Sequence, residues 1–292
     1  MDSKQLNKHF QSLEIDYLYH LGLDSSMDLS REFGDIANVI FTRSPTAAGL
    51  ISQMLATEYL SIHGLVIHCA TIAKHERYHM YKLGQTIVIS HGIGAPSLLI
   101  CLNEITKLLF HAGVTNANYL RIGPGGGLGL ALGSVVIANE ALSPLLEAQW
   151  RNIEFGEYHS YSTIMDASLV QEIIKLNSPS LLIHGRVLSS DSFYAGQGRL
   201  NGALVPSFSV EERDNYLKRA YAAGVRAIDL ESSCFSAFCQ NLKIPAAILV
   251  GCVSDRFHDQ ENEPSLGKAD ELAAPLMLAS KILIKYILAQ NR

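Results

Sequence analysis

Several things are scarce in this 292-residue chain, and each shortage excludes a class of protein. Charged residues make up 17% against 48% hydrophobic, which excludes an intrinsically disordered chain. Positive charge is not in excess. The 28 acidic residues outnumber 23 basic ones, so the net charge of -5 offers no general attraction to nucleic acid. Cysteines are few: Cys69, Cys101, Cys234, Cys239 and Cys252 are odd in number and form no C-x-x-C pair. That excludes a disulfide scaffold and a zinc ribbon, and reads as small hydrophobes in a reducing compartment. No long apolar run exists. The longest uncharged stretch, Leu83 to Asn103, is broken by His91, Gly92, Gly94 and Pro96, whereas a membrane span needs about 20 mostly apolar residues. The first ten residues lack the apolar core of a signal peptide. A soluble cytoplasmic protein is expected, without nucleic-acid or membrane partners. With no Pro/Ser-rich linker and no charge block, one large domain is expected.

What is present is an alternation of short β-branched runs with helical patterns. Strands are expected at Asn38–Phe41, Leu65–Ile72, Thr86–Ser90, Asn118–Ile122, Ser134–Ala138, Leu181–Val187, Ala227–Leu230 and Ala246–Val253. Helices are expected at Pro45–Tyr59, Ser97–Ala112, Ser168–Lys175, Val210–Ala223, Glu231–Asn241 and Asp270–Ala289. Ser44 and Ser209 are in place as N-caps, the latter with Glu212 completing a capping box. This alternation argues an α/β fold with a largely parallel or mixed central sheet. Ligands of such sheets bind beyond the carboxyl ends of the strands. Four segments qualify: Thr42–Pro45, Ser90–Gly94, Arg121–Gly127 and Leu230–Ser233.

Arg121-Ile-Gly-Pro-Gly-Gly-Gly127 joins a strand-end arginine to a glycine run. It reads either as a phosphate site or as a tight turn before the next strand. Dinucleotide and Walker spacings both fail. Phe193-Tyr-Ala-Gly-Gln-Gly-Arg199 offers an aromatic, an amide and a guanidinium. Gln197 presents a donor and an acceptor together, which suits a uracil-like edge; a plain surface turn is the alternative. Glu231 at a strand-to-helix junction is either a dipole partner or a carboxylate for sugar hydroxyls. His20 reads as structural by itself. His75 and His79 are four apart without clear helical context, so no metal site is expected.

Taken in order, these segments resemble the nucleoside phosphorylase family, with closest similarity to animal-type uridine phosphorylases. The resemblance is carried by Tyr19–Leu23, Arg77–Gly84, Ser90–Ser97, Arg121–Gly123, Phe193–Leu200 and Leu230–Ser233. It implies a single α/β domain over residues 19–292 after an N-terminal extension of residues 1–18. Its mixed central sheet would be partly closed into a barrel and flanked by helices. The implied reaction is phosphorolysis, in which uridine and phosphate give uracil and ribose 1-phosphate in pyrimidine salvage. No cofactor is implied, phosphate being the co-substrate. The resemblance assigns Gln197 and Arg199 to the uracil edge, Phe193 to the base face, Glu231 to the ribose 2′-hydroxyl and Leu230 to the space beneath the ribose. Arg256 would flank the base pocket, and Arg121 would hold phosphate. His20 and Arg77 would reach a neighbouring subunit's ligand, so a homodimer with shared sites is implied.

The sequence departs from the family pattern at the phosphate. The first phosphate loop, roughly G-x-P-x-R, here reads Arg43-Ser-Pro-Thr-Ala47. Arg43 stands for the glycine, Ala47 for the arginine, and Pro124 for a threonine; Leu230 stands for a methionine and Asp255 for an asparagine. A hydrogen bond to a charged group contributes about 1.5–3 kcal/mol, so the two lost contacts would cost roughly 10²–10⁴ in turnover efficiency. Arg43 would either repair the site or occupy it. Three readings follow: a phosphorylase with a rebuilt phosphate site, a nucleoside- or uracil-binding paralogue with impaired phosphorolysis, and a hydrolase or other ribosyl transferase on the same scaffold.

Overall fold

In the computed structural model, residues 1, 5–62, 67–178, 182–258 and 269–290 are described. The chain begins with α1 (Lys8–Gln11), the pair β1 (Tyr17–Leu18) and β2 (Leu23–Asp24), and α2 (Leu29–Phe33). Next come β3 (Asn38–Thr42), α3 (Pro45–Leu60), β4 (Met80–Leu83), β5 (Thr86–Ser90) and α4 (Ala95–His111). The middle holds β6 (Asn118–Gly127), β7 (Val135–Ala138), β8 (Ala141–Leu142), the hairpin β9 (Gln149–Glu154) and β10 (Glu157–Ser162), and α5 (Ser168–Leu176). The rest is β11 (Leu182–His184), β12 (Arg186–Ser189), α6 (Val210–Ala222), β13 (Val225–Asp229), α7 (Ser232–Asn241), β14 (Ala246–Asp255) and α8 (Ala269–Gln290).

Every residue of β3 and β5 is buried, as expected of strands covered on both faces. Alternate side chains feed opposite layers. Val39 and Phe41 join one core with residues of α2, α4 and α7, while Ile40 joins a second with residues of α3, α5 and α8. Each fully buried Ile or Phe stabilises the layer by roughly 1.5–3 kcal/mol. Helix starts are locally encoded. The Ser44 hydroxyl accepts from Ala47 N at 3.2 Å, and Ser209 with Glu212 forms the expected capping box.

The mixed ten-stranded sheet runs β11-β7-β14-β6-β13-β12-β8, with β3, β5 and β4 branching from β6. β3 lies parallel between β5 and β6, with Thr42 opposite Ser90 and Ile122. β14 is parallel to β6, and β13 meets its last residues antiparallel. Among the described residues this hydrogen-bonded path stays open rather than closing into a barrel.

Four expectations need correction. The glycine run is not a turn: β6 continues through Pro124 to Gly127. Glycine is required there because β6 passes its neighbours at close range. A Cβ on Gly125 would lie 2.5 Å from Val250 Cγ1 and 2.7 Å from the Ile228 carbonyl oxygen. The strand expected at Leu65–Ile72 is absent over 67–72, and Leu65 lies outside the described residues. The strand expected at Leu181–Val187 is two strands, divided at Gly185; Leu182–His184 pairs with β7, whereas Arg186–Ser189 turns to β13. β4 and the β9–β10 hairpin went unassigned; the hairpin is mostly exposed, so no apolar run announces it.

Candidate active site

β5 and β3 end side by side where β6 runs on past them, and the residues just past their shared register are His91, Arg43 and Gly123. His91 N donates to Thr42 O at 2.8 Å and Gly92 N to Arg43 O at 3.0 Å, so the ladder outlasts the strands. Arg43 is exposed and lines a small cleft with Pro124, Phe193, Gln197, Arg199, Leu230 and Glu231. Most of the sequence-selected residues therefore meet at one place, the carboxyl ends of the strands.

Glu231 lies two residues past the end of β13, at the N-cap position of α7, and is almost wholly buried. Its Oε1 accepts from Gly94 N at 2.7 Å, and its Oε2 from Arg121 Nη2 at 2.6 Å. Helix α4 has no side-chain cap of its own, so Glu231 serves as the anion at its N-terminus. Gly94 permits this with a φ of 88°, a conformation that disfavours any other residue. Burial raises the Glu231 pKa; Arg121 opposes the shift and Asp229 reinforces it.

Arg121 is fully buried and carries two carboxylates. Nη1 donates to Asp229 Oδ2 at 2.6 Å and Nη2 to Glu231. Asp229 Oδ2 also accepts from Ser232 Oγ at 2.6 Å, which locks the start of α7 to the pair. Asp229 went unnoticed in the sequence, although it precedes Glu231 by one strand repeat of two. A buried pair of this kind orients its members more than it stabilises the fold.

The base-edge candidates lie on a tight turn. A 3₁₀ turn at Ala195–Gln197 is closed by Gly198 at φ 71°, and Gln197 is buried. The Arg199 guanidinium sits 4.2 Å from the Phe193 ring centroid, within cation–π range. Arg256 Nη2 donates to the Gln197 carbonyl at 2.5 Å, so this arginine steadies the turn from behind.

Two assigned residues stand apart. His20 Nδ1 donates to Glu104 Oε1 at 2.6 Å; the same carboxylate accepts from the backbone N of His20 and of Leu21. The His20 ring is 40% exposed. Arg77 donates to Ser97 Oγ, and Ser97 Oγ donates to the His91 carbonyl. Neither His20 nor Arg77 lines the cleft of its own chain. Glu104 carried no signal in the sequence. No group of three metal-ligating side chains occurs among the described residues, and no helix there is long and apolar enough to cross a membrane. All five cysteines are free.

A family profile described as "Phosphorylase superfamily" matches residues 39–287. Uridine phosphorylase 1 of Mus musculus is 36% identical over 263 residues, covering 88% of this chain and 84% of the mouse protein. A protein named inactive uridine phosphorylase B, from Schistosoma mansoni, is 32% identical and covers 98% of this chain and 96% of its own length. The crystal structure of uridine phosphorylase from Schistosoma mansoni in complex with uracil superposes with a TM-score of 0.89 at 27% identity, covering 98% of this chain and 99% of that one.

Proposed function

As the chain belongs to the phosphorylase superfamily, we propose that it is a uridine phosphorylase-type pentosyltransferase, converting uridine and phosphate to uracil and ribose 1-phosphate. One observation carries this reading: Gln197, Arg199 and Phe193 line the same cleft as Glu231, so a base-edge reader and a sugar-binding carboxylate share one site. Mouse uridine phosphorylase 1 and the uracil-bound Schistosoma structure support it.

In this reading uracil stacks on Phe193 with its C=O/N–H edge on Gln197 and Arg199. Glu231 takes the 2′-hydroxyl through lone pairs left over from Arg121 and Gly94, and Leu230 lies beneath the ribose. As the glycosidic bond breaks, positive charge grows on the ribose and negative charge on the departing base. The Arg199 guanidinium stabilises the base's charge. Phosphate is already an anion, so no general base is needed; the protein must hold it below C1′. Arg43, Arg121 and a partner subunit's arginine equivalent to Arg77 supply the phosphate cations. His20 reaches the 5′-hydroxyl of a neighbouring subunit's substrate, so the working unit is a homodimer. No cofactor takes part, and the free cysteines fit a cytoplasmic setting. The partly closed barrel that the family resemblance implies is kept as part of this reading, with the sheet branching at β6 as the place where it would curl.

A second reading is favoured by Ala47 and Pro124, which remove an arginine and a threonine from the phosphate side, and by the doubly committed Arg121. It is a nucleoside- or uracil-binding paralogue with impaired phosphorolysis. Uridine turnover with and without millimolar phosphate separates the two. Phosphate-dependent ribose 1-phosphate supports the enzyme; uridine binding without product supports the binder.

A further inference from the structure

Sequence position, burial and missing partners set one side chain of this region apart. His91 is wholly buried, yet neither Nδ1 nor Nε2 has a hydrogen-bond partner. Buried imidazole nitrogens are ordinarily paired, because an unmade bond there costs free energy that folding does not recover. The register explains where the ring stands. His91, Arg43 and Gly123 each follow the last residues that pair β3 with its parallel neighbours β5 and β6. By the pleat they share the face of Phe41, Ile89 and Arg121 rather than that of Thr42 and Ser90. The electrostatics agree. Burial first, then the guanidiniums of Arg121 and Arg43, hold the imidazole pKa well below its usual value, offset only in part by the Gly92 backbone. The ring is therefore neutral and keeps one N–H to give. Its backbone is held in place from the other side, since the His91 carbonyl accepts from Ser97 Oγ, which in turn accepts from Arg77.

We propose that His91, buried beside the cleft's Arg43 and not on its lining in the ligand-free molecule, is a phosphate-binding residue, donating a ring N–H to a phosphate oxygen held between Arg43 and Arg121. The proposal rests on the phosphorolytic reading of the cleft. It supplies a donor on the side where Ala47 and Pro124 have none. A neutral donor suits the place. Arg121 is already bound to two carboxylates, and a third full positive charge beside Arg43 would be costly in the absence of ligand. Phosphate would give the orphaned nitrogen the partner that the ligand-free molecule lacks.

The test uses the full-length protein with histidine ring nitrogens labelled, titrated with inorganic phosphate alone. His91→Gln identifies the His91 signal. The expected result is a phosphate-dependent shift of that signal, left unmoved by an equal concentration of chloride. In turnover, His91→Ala should raise the phosphate KM roughly tenfold or more, the loss expected for a bond to a charged group, with uridine KM within about twofold. His91→Gln, which keeps an N–H donor, should recover most of that loss. A His91 signal that ignores saturating phosphate overturns the proposal, as does an unchanged phosphate KM in the alanine variant. If that variant fails to fold, the titration of the natural protein decides alone. Phosphate-dependent turnover with an unresponsive His91 leaves the phosphorylase reading standing and removes this one. A responsive His91 without turnover does the reverse.

Discussion

Glu104 holds His20 by two atoms of one residue and a third of the next: the carboxylate accepts from His20 Nδ1 at 2.6 Å, from His20 N and from Leu21 N. The ring is thereby fixed with its Nδ1 edge on Glu104 and its Nε2 edge left free of that carboxylate. Glu104→Gln should keep the fold and loosen that orientation. Uridine KM is expected to rise roughly three- to tenfold, a fraction of one hydrogen bond. The same variant should show no rise with 5′-deoxyuridine, which lacks the hydroxyl that His20 is proposed to meet. An equal rise with both substrates would sink the positioning role.

Gln197→Leu removes the paired donor and acceptor from the buried turn at Ala195–Gln197. Uridine affinity should fall by roughly 10–100-fold, because the base edge is left unpaired in a dry site. Calorimetry measures this whether or not turnover occurs. Unchanged affinity would show that this turn does not read the base.

Arg43 is exposed, lines the cleft and has no ion-pair partner among the described residues. If it replaces the lost phosphate contacts, Arg43→Ala raises phosphate KM about tenfold and leaves uridine binding alone. If it blocks the anion instead, the same change lowers phosphate KM. The combination Arg43→Gly, Ala47→Arg and Pro124→Thr should then raise kcat/KM for phosphate further. Initial rates against phosphate concentration separate the cases by sign.

His91 has a consequence for stability that needs no ligand. Burial and the nearby Arg121 and Arg43 charges depress its pKa in the folded state, while the unfolded chain titrates near 6.5. Below about pH 6.5 the unfolded state binds a proton that the folded state refuses. Stability is therefore lost as pH falls, by up to about 1.4 kcal/mol per unit. His91→Gln should remove that part of the slope between about pH 6.5 and 5 in urea titrations. Parallel slopes in the two proteins would contradict the depressed value.

Gly125→Ala tests whether the glycine run is a strand or a phosphate loop. The added Cβ would meet Val250 Cγ1 at 2.5 Å and the Ile228 carbonyl at 2.7 Å, and the backbone oxygen cannot move aside cheaply. Overpacking of this kind costs typically 1–3 kcal/mol. Thermal unfolding should report a clear drop in Tm. A normal Tm with a raised phosphate KM would restore the loop reading.

Much of the architecture was legible because its causes are local. The strand at Asn38–Thr42, the Ser44 and Ser209 caps and the long helix ending near Ala289 follow from side-chain period and capping chemistry within a few residues. The candidate site was legible as a set of segments, since in an α/β sheet such residues lie where strands end. Legibility stopped where a neighbour distant in the chain makes the choice. Glu104 and His20 are 84 residues apart, and Arg121 and Asp229 are 108 apart. No spacing rule joins them: Glu104 on α4 meets the turn between β1 and β2, and β13 meets β6 antiparallel, each contact closing only after many intervening elements. The run Arg121–Gly127 shows the same limit. Its glycines suit a turn, a phosphate loop or a crowded strand equally well. Close passage of β6 beside Val250 and Ile228 selected the strand, a steric fact that exists only once the sheet is assembled.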